Sequence, residues 1–189
     1  MNQLLRALPG WSVWLLGLMP LAWLVWLVFF GGLGVDPVKE IEHRLGKIGL
    51  WFLVGGLAIS PLRRLGVNAL RHRRAIGLLA FLYVALHFLA WLILDMGMLW
   101  GQAGRDLLRR PYLFLGILGL ALMLPLALTS NDASIRRLGR AWRRLHWLTY
   151  PAVLLGVAHY LWQMRIVSTE GWLWLAAVLG LILLRFRPR

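Results

Sequence analysis

Three histidines in apolar segments are the residues of this chain whose type and spacing suit metal or redox chemistry. His146 and His159 lie 13 residues apart in one segment, and His87 lies in an earlier one. On a helix that rises about 1.5 Å per residue, His146 and His159 are roughly 20 Å apart, most of the depth of a hydrocarbon core of about 30 Å. An ionisable side chain inside a membrane segment is costly and therefore indicates a function. Because imidazole is a common ligand of metals and of haem iron, the pattern predicts a haem site.

The composition is that of a membrane protein with several spans. Hydrophobic residues make up 60% of the 189 residues, and the mean hydropathy is +0.71, whereas soluble domains are about 45–50% apolar. The charged residues cluster between long apolar runs. We therefore predict an all-α helical bundle that forms a single domain over residues 1–189. The absence of cysteine excludes disulfides, thiolate-bound iron–sulfur clusters, thiolate-ligated haem and covalent c-type haem.

Six apolar runs predict six transmembrane helices, over residues 11–30, 48–62, 75–94, 111–129, 145–163 and 171–184. Residues 31–47 and 95–110 are predicted to be loops. With a cytoplasmic N-terminus, 14 of the 21 Lys and Arg residues lie on the cytoplasmic side, so the positive-inside rule places both termini there. The net charge of +14 then reflects topology and contact with anionic membrane lipid, and we expect no nucleic-acid binding.

In this topology the third and fifth helices run in the same direction and bring two histidines to a matched depth. His87 follows the basic residue Arg74 by 13 residues, and His159 follows Arg144 by 15. Two histidines at one height on neighbouring helices can ligate one iron from opposite faces, as in a bis-His b-type haem. Small residues near them leave space for a macrocycle: Ala80, Ala90 and Gly156.

His146 lies lower in the membrane, at the cytoplasmic end of its segment. The third helix has Arg74 at the matching level rather than a histidine, so a second haem there and an interfacial histidine that binds no metal both remain open. A basic cluster near this level is suited to haem propionates or to the phosphate of a flavin mononucleotide: Arg71, Arg73, Arg74, Arg143 and Arg144. His72 is predicted to be solvated in a loop, and His43 to be a loop residue or a helix cap.

A small proton channel or transporter is an alternative of a different class. Its histidines would then relay protons rather than bind iron. The predicted interior has almost no carboxylates and no pair of broken helices, which disfavours this alternative.

Four stretches of the chain carry a resemblance to a known family. They are residues 31–39 with His43, the pair Leu86-His87, residues 110–113, and residues 138–162 with His146 and His159. Together they resemble the MsrQ family (formerly YedZ), the haem-binding membrane subunits of bacterial periplasmic methionine sulfoxide reductase systems. That family is related to the transmembrane domains of ferric reductases and NADPH oxidases, and the resemblance covers nearly the whole chain.

The resemblance implies an electron-transfer subunit of the bacterial inner membrane rather than a catalytic subunit. Electrons would come from quinol or a cytosolic flavin reductase and pass through haem b. They would reach a periplasmic molybdopterin-containing partner, in a heterodimer, that repairs oxidised proteins. The family's cofactors are haem b and FMN, and its histidine pattern maps onto His87, His146 and His159. The larger superfamily has four ligand histidines on two helices, so one or two haems remain possible here. A cytochrome b anchor of another periplasmic oxidoreductase also remains open.

Overall fold

The computed structural model describes residues 9–164 and 166–186, and all regular structure within these ranges is helical. The predicted all-α class is therefore confirmed. The α-helices are α1 (Gly10–Phe30), α2 (Pro37–Arg64), α3 (Arg73–Ala90), α4 (Trp100–Arg109), α5 (Pro111–Leu128), α6 (Asp132–Leu138), α7 (Arg140–Leu145), α8 (Thr149–Trp162) and α9 (Thr169–Phe186). Short 3₁₀ turns, Leu70–His72 and His146–Leu148, precede α3 and α8, and a π-helical turn, Trp91–Asp95, follows α3.

Four helical stretches are long and apolar enough to cross a membrane: α1, α2, Leu70–Asp95 and α5. Helix α8 has 14 residues and is about 21 Å long by itself. The preceding 3₁₀ turn and α7 lengthen this helical stretch, since they adjoin α8 without a gap. A multi-pass membrane protein is thus supported, whereas the sixfold crossing and the cytoplasmic termini stay predictions.

The prediction that residues 31–47 form a loop is wrong over most of this range, because α2 already begins at Pro37. The carboxylate of Asp36 accepts the backbone N–H of Lys39 at 3.1 Å, and a proline at the first helical position suits the fixed φ of that residue. Glu40 then pairs with Arg44 one turn later, with 2.9 Å between Arg44 Nε and Glu40 Oε1. His43 is consequently an exposed residue within a helix rather than a loop residue or cap.

The second predicted loop, residues 95–110, contains helix α4. Its apolar residues recur at helical spacing, with Trp100 and Leu108 exposed and Ala103 buried. A ten-residue amphipathic helix with interspersed arginines has too little apolar sequence to register as a span.

The chain forms two compact units, one up to Gly104 and one from Arg105 onward. In the first unit, α2 and α3 pack along much of their length, and α1 packs on α3. The core of this unit contains Leu24, Leu45, Leu79, Tyr83 and Ala90. Many large apolar side chains of α1 remain exposed, as expected for a helix that faces lipid.

Tyr83 joins α1 to α3. Its hydroxyl donates to the carbonyl of Gly17 at 2.7 Å and accepts the N–H of Leu21 at 3.1 Å. These two backbone groups are four residues apart, so the phenol bridges a donor and an acceptor that would pair in a regular helix. Gly17 is needed at this crossing, because a Cβ there would lie 2.3 Å from the Leu79 side chain.

In the second unit, α5 packs on α8 and α9 packs on α8. Helix α8 buries Ala152, Val153 and Val157. Gly119 of α5 faces α8 closely enough that an added Cβ would make ordinary contact with Leu155, at 3.6 Å. Small residues at helix crossings are the usual means of close packing in membrane bundles.

Candidate functional site

His87 lies near the end of α3 and is held by the neighbouring helix α2. Its Nδ1 is 2.9 Å from the backbone carbonyl oxygen of Glu42. The imidazole also lies against Gly46, where a Cβ would be 3.2 Å from Nδ1 and 3.3 Å from Cε1. We call Glu42 and Gly46 the His87 support site.

His159 lies near the end of α8 and is held in the same manner by α5. Its Nδ1 is 2.7 Å from the backbone carbonyl oxygen of Tyr112. A Cβ at Gly116 would lie 2.9 Å from Nδ1 and 3.0 Å from Cε1 of this ring. The Tyr112 ring is adjacent, with its centroid 5.8 Å from that of the imidazole. We call Tyr112 and Gly116 the His159 support site.

These contacts determine which nitrogen of each imidazole is suited to bind a metal. A carbonyl oxygen only accepts hydrogen bonds, so Nδ1 of His87 and of His159 carries the proton and donates it. In the neutral imidazole the lone pair then resides on Nε2. Metal-ligating histidines usually donate their other ring N–H to a carbonyl or carboxylate in this way. The two residues therefore fit the axial ligands of a haem iron, with Nε2 as the ligating atom.

His146 has a different setting in the 3₁₀ turn before α8. Its Nδ1 is 3.1 Å from the carbonyl oxygen of Trp142, in the preceding turn of its own helical stretch. The Trp142 ring stacks on the imidazole with 3.8 Å between centroids, and its Nε1–H donates to the carbonyl of Thr129 at 2.9 Å. Nδ1 is again the protonated nitrogen, and here the carbonyl acceptor belongs to the same helical stretch as the histidine.

The predicted phosphate- or propionate-binding arginines have exposed side chains. Arg71, Arg73 and Arg74 flank or begin α3 in the first unit, and Arg143 and Arg144 lie in α7 in the second.

His72 is not the solvated loop residue that the sequence predicted, because its relative exposure is only 5%. It ends the 3₁₀ turn Leu70–His72 directly before α3, between exposed arginines. The basic neighbours of His72 suggested a solvated segment. In the 3₁₀ turn, however, adjacent side chains point in different directions, so His72 is buried while Arg71 and Arg73 are exposed.

Sequence reasoning missed the support sites themselves. The two helices that pack against these histidines, α2 and α5, each carry two glycines three residues apart. These are Gly46 and Gly49 in α2, and Gly116 and Gly119 in α5. That spacing was the available signal, since glycines inside helices are unfavourable by roughly 0.5–1 kcal/mol relative to alanine unless a close contact requires them.

A bare metal ion held by several side chains has no candidate ligands in the described part of the chain. No group of three or more His, Cys, Asp or Glu residues gathers there. A haem iron needs only two axial ligands from the protein, so this finding is compatible with the predicted haem site.

Comparisons with known proteins identify the family of the chain. The model of the family "Ferric reductase like transmembrane component" matches residues 16–157. The chain is 44% identical to a protein of Agrobacterium fabrum named protein-methionine-sulfoxide reductase heme-binding subunit MsrQ, over 91% of this chain and 80% of that protein. A protein of the same name from Brucella ovis is 44% identical over 95% of this chain and 84% of that protein. No solved structure matches the chain.

Proposed function

The chain belongs to the family of ferric reductase-like transmembrane components and, within it, to the MsrQ proteins, and on that premise we propose that it is a haem b electron-transfer subunit. It passes electrons across the bacterial inner membrane to a periplasmic methionine sulfoxide reductase that repairs oxidised proteins. The donor is quinol or a cytosolic flavin reductase. The partner is a molybdopterin-containing catalytic subunit, bound as a heterodimer.

The observation that carries this proposal is the pair of histidines whose Nδ1 donates to a backbone carbonyl of an opposing helix. This arrangement fixes the tautomer and the ring position before any ligand binds, which reduces the cost of binding. The bound haem supplies a group that takes up and releases single electrons. The protein determines its position and its reduction potential through axial ligation, hydrogen bonding and burial.

We assign His87 and His159 as residues that would ligate haem iron through Nε2. The assignment rests on their matched depth in the predicted topology and on the equivalent support that each ring receives in its own unit. His146 is then the candidate ligand of a second, cytoplasmic-side haem, or an interfacial histidine that binds no metal. The exposed arginines of the basic cluster bind propionates or the flavin phosphate.

The first experiment is a dithionite-reduced minus oxidised absorbance spectrum of the detergent-purified protein, expressed with ample haem. A b-type band with one or two haems per chain is expected. His87→Ala and His159→Ala should each lose the low-spin bis-histidine spectrum of the haem that the residue ligates. His43→Ala is the matched control, since His43 is an exposed helical histidine, and it should leave the spectrum unchanged.

The absence of a haem band in the wild-type protein would overturn the proposal and favour the proton-channel alternative. The partner is tested separately. Dithionite-reduced protein should be reoxidised when the periplasmic methionine sulfoxide reductase and its substrate are added. A haem protein that the reductase does not reoxidise would instead be a cytochrome b anchor of another periplasmic oxidoreductase.

A further inference from the structure

The two histidine support sites are the same local arrangement, built once in each compact unit. In both, an imidazole donates Nδ1–H to a carbonyl of the opposing helix, and a glycine four residues after that carbonyl lies against the ring. The histidine lies 45 residues after the carbonyl residue in the first unit and 47 in the second. No internal repeat is evident in the sequence, because only the glycine spacing and the histidine are common to the two copies.

Gly46 and Gly116 lie where the imidazole passes closest to the helix that carries the carbonyl. In an α-helix the carbonyl of residue i−4 lies one turn before residue i on the same face, so a ring bonded to that carbonyl passes over residue i. An added Cβ would meet Nδ1 of His87 at 3.2 Å and Nδ1 of His159 at 2.9 Å. The second distance is shorter than real Cβ contacts, so the His159 ring would have to move.

We propose that Gly46 and Gly116 are positioning residues: each, with the carbonyl of Glu42 or Tyr112 on its own helix, orients the imidazole of the opposing histidine so that Nε2 is available to ligate haem iron. This proposal rests on the proposed function. It adds that the same backbone contact orients the histidine in each unit. A carbonyl acceptor raises the basicity of the ligating nitrogen, which favours ferric over ferrous iron.

The test compares glycine variants at the support sites with matched glycine variants elsewhere on the same helices. Gly116→Ala and Gly46→Ala are the test variants. Gly119→Ala and Gly56→Ala are the controls, since their added Cβ atoms would meet neighbours at an ordinary 3.6 Å. Each haem-free protein is titrated with haem, and the reduction potential of each loaded protein is measured.

We expect Gly116→Ala to weaken haem binding about tenfold or more, in the range usual for loss of a ligand's outer hydrogen bond. Gly46→Ala should have a smaller effect, because its contact is less tight. The reduction potentials of both variants should shift to more positive values, which a purely structural role would not require. The controls should bind haem within about twofold of the wild type, below the effect expected for the lost bond.

Wild-type affinity and potential in Gly116→Ala, or an equal loss in Gly119→Ala, would overturn the proposal. Nitrogen NMR of ¹⁵N-histidine in the haem-free wild type provides a measurement that does not need a foldable variant. Nδ1-protonated tautomers at both His87 and His159 are expected, and Nε2-protonated tautomers would contradict the inference. A wild type that shows the expected tautomers but binds no haem would refute the proposed function alone.

Discussion

At the scale of single residues, the Tyr83 hydroxyl leads to a prediction about stability. It bonds the Gly17 carbonyl and the Leu21 N–H, and the side chain is fully buried. Tyr83→Phe removes both hydrogen bonds of a buried hydroxyl, so a loss of about 1–3 kcal/mol is expected. The thermal unfolding midpoint in detergent measures this loss. Tyr150→Phe is the control, because its hydroxyl meets Arg185 at an exposed site, and an equal loss there would contradict the argument.

The residue scale also shows what the sequence could and could not indicate about the site. His87 and His159 were identifiable because a histidine in an apolar helix stands out against its neighbours. Their carbonyl partners were not, since a backbone acceptor at Glu42 or Tyr112 has no sequence signature. Only the packed helices reveal which turn of α2 or α5 each ring meets.

At the scale of helices, the start of α2 yields a prediction that depends on pH. The pKa of the Asp36 carboxyl is held below its ordinary value by the hydrogen bond from the Lys39 N–H and by the Lys39 ammonium. A lowered pKa means that the stabilisation is present above the carboxyl range and is lost as the pH falls through it. Asp36→Ala should therefore fray the first turn of α2 at neutral pH.

Amide hydrogen exchange near residues 37–40 measures this fraying. Asp106→Ala provides a control. Asp106 lies in α4, and its carboxylate pairs with Arg110 directly after that helix. It should leave exchange in the first turn of α2 unchanged. Wild-type protection in Asp36→Ala would show that the cap does not hold the helix start.

The long apolar helices were predictable because their composition alone determines them. Helices α1, α3 and α5 begin and end within a few residues of the predicted spans. The errors lie in polar helices. Residues 37–47 carry five charged side chains, so hydropathy excluded them, although the cap, the proline and the Glu40–Arg44 pair favour a helix. Helix α4 was missed for a similar reason, because it contains few apolar residues and hydropathy therefore did not identify it.

At the scale of the whole molecule, His87 and His159 belong to different compact units. Their proposed role as haem ligands therefore rests on membership of the family and on the equivalent support that each ring receives in its own unit. The predicted topology itself depends on whether α8 and α9 cross the membrane. Helix α8, with 14 residues, is shorter than each of the four helical stretches that qualify as spans on length and composition, and α9 is not among those four.

Cysteine labelling tests this topology directly, because the natural chain contains no cysteine. Single cysteines replace Met98 and Ser168 on the predicted periplasmic side, and Asn68 and Ser134 on the predicted cytoplasmic side. In cells with a permeabilised outer membrane, a membrane-impermeant maleimide should label Met98→Cys and Ser168→Cys at once. It should label Asn68→Cys and Ser134→Cys only after lysis.

If Ser168→Cys reacts only after lysis, α8 does not cross the membrane. The matched depth of His87 and His159 is then lost, and the two histidines cannot be assigned to one haem on this basis.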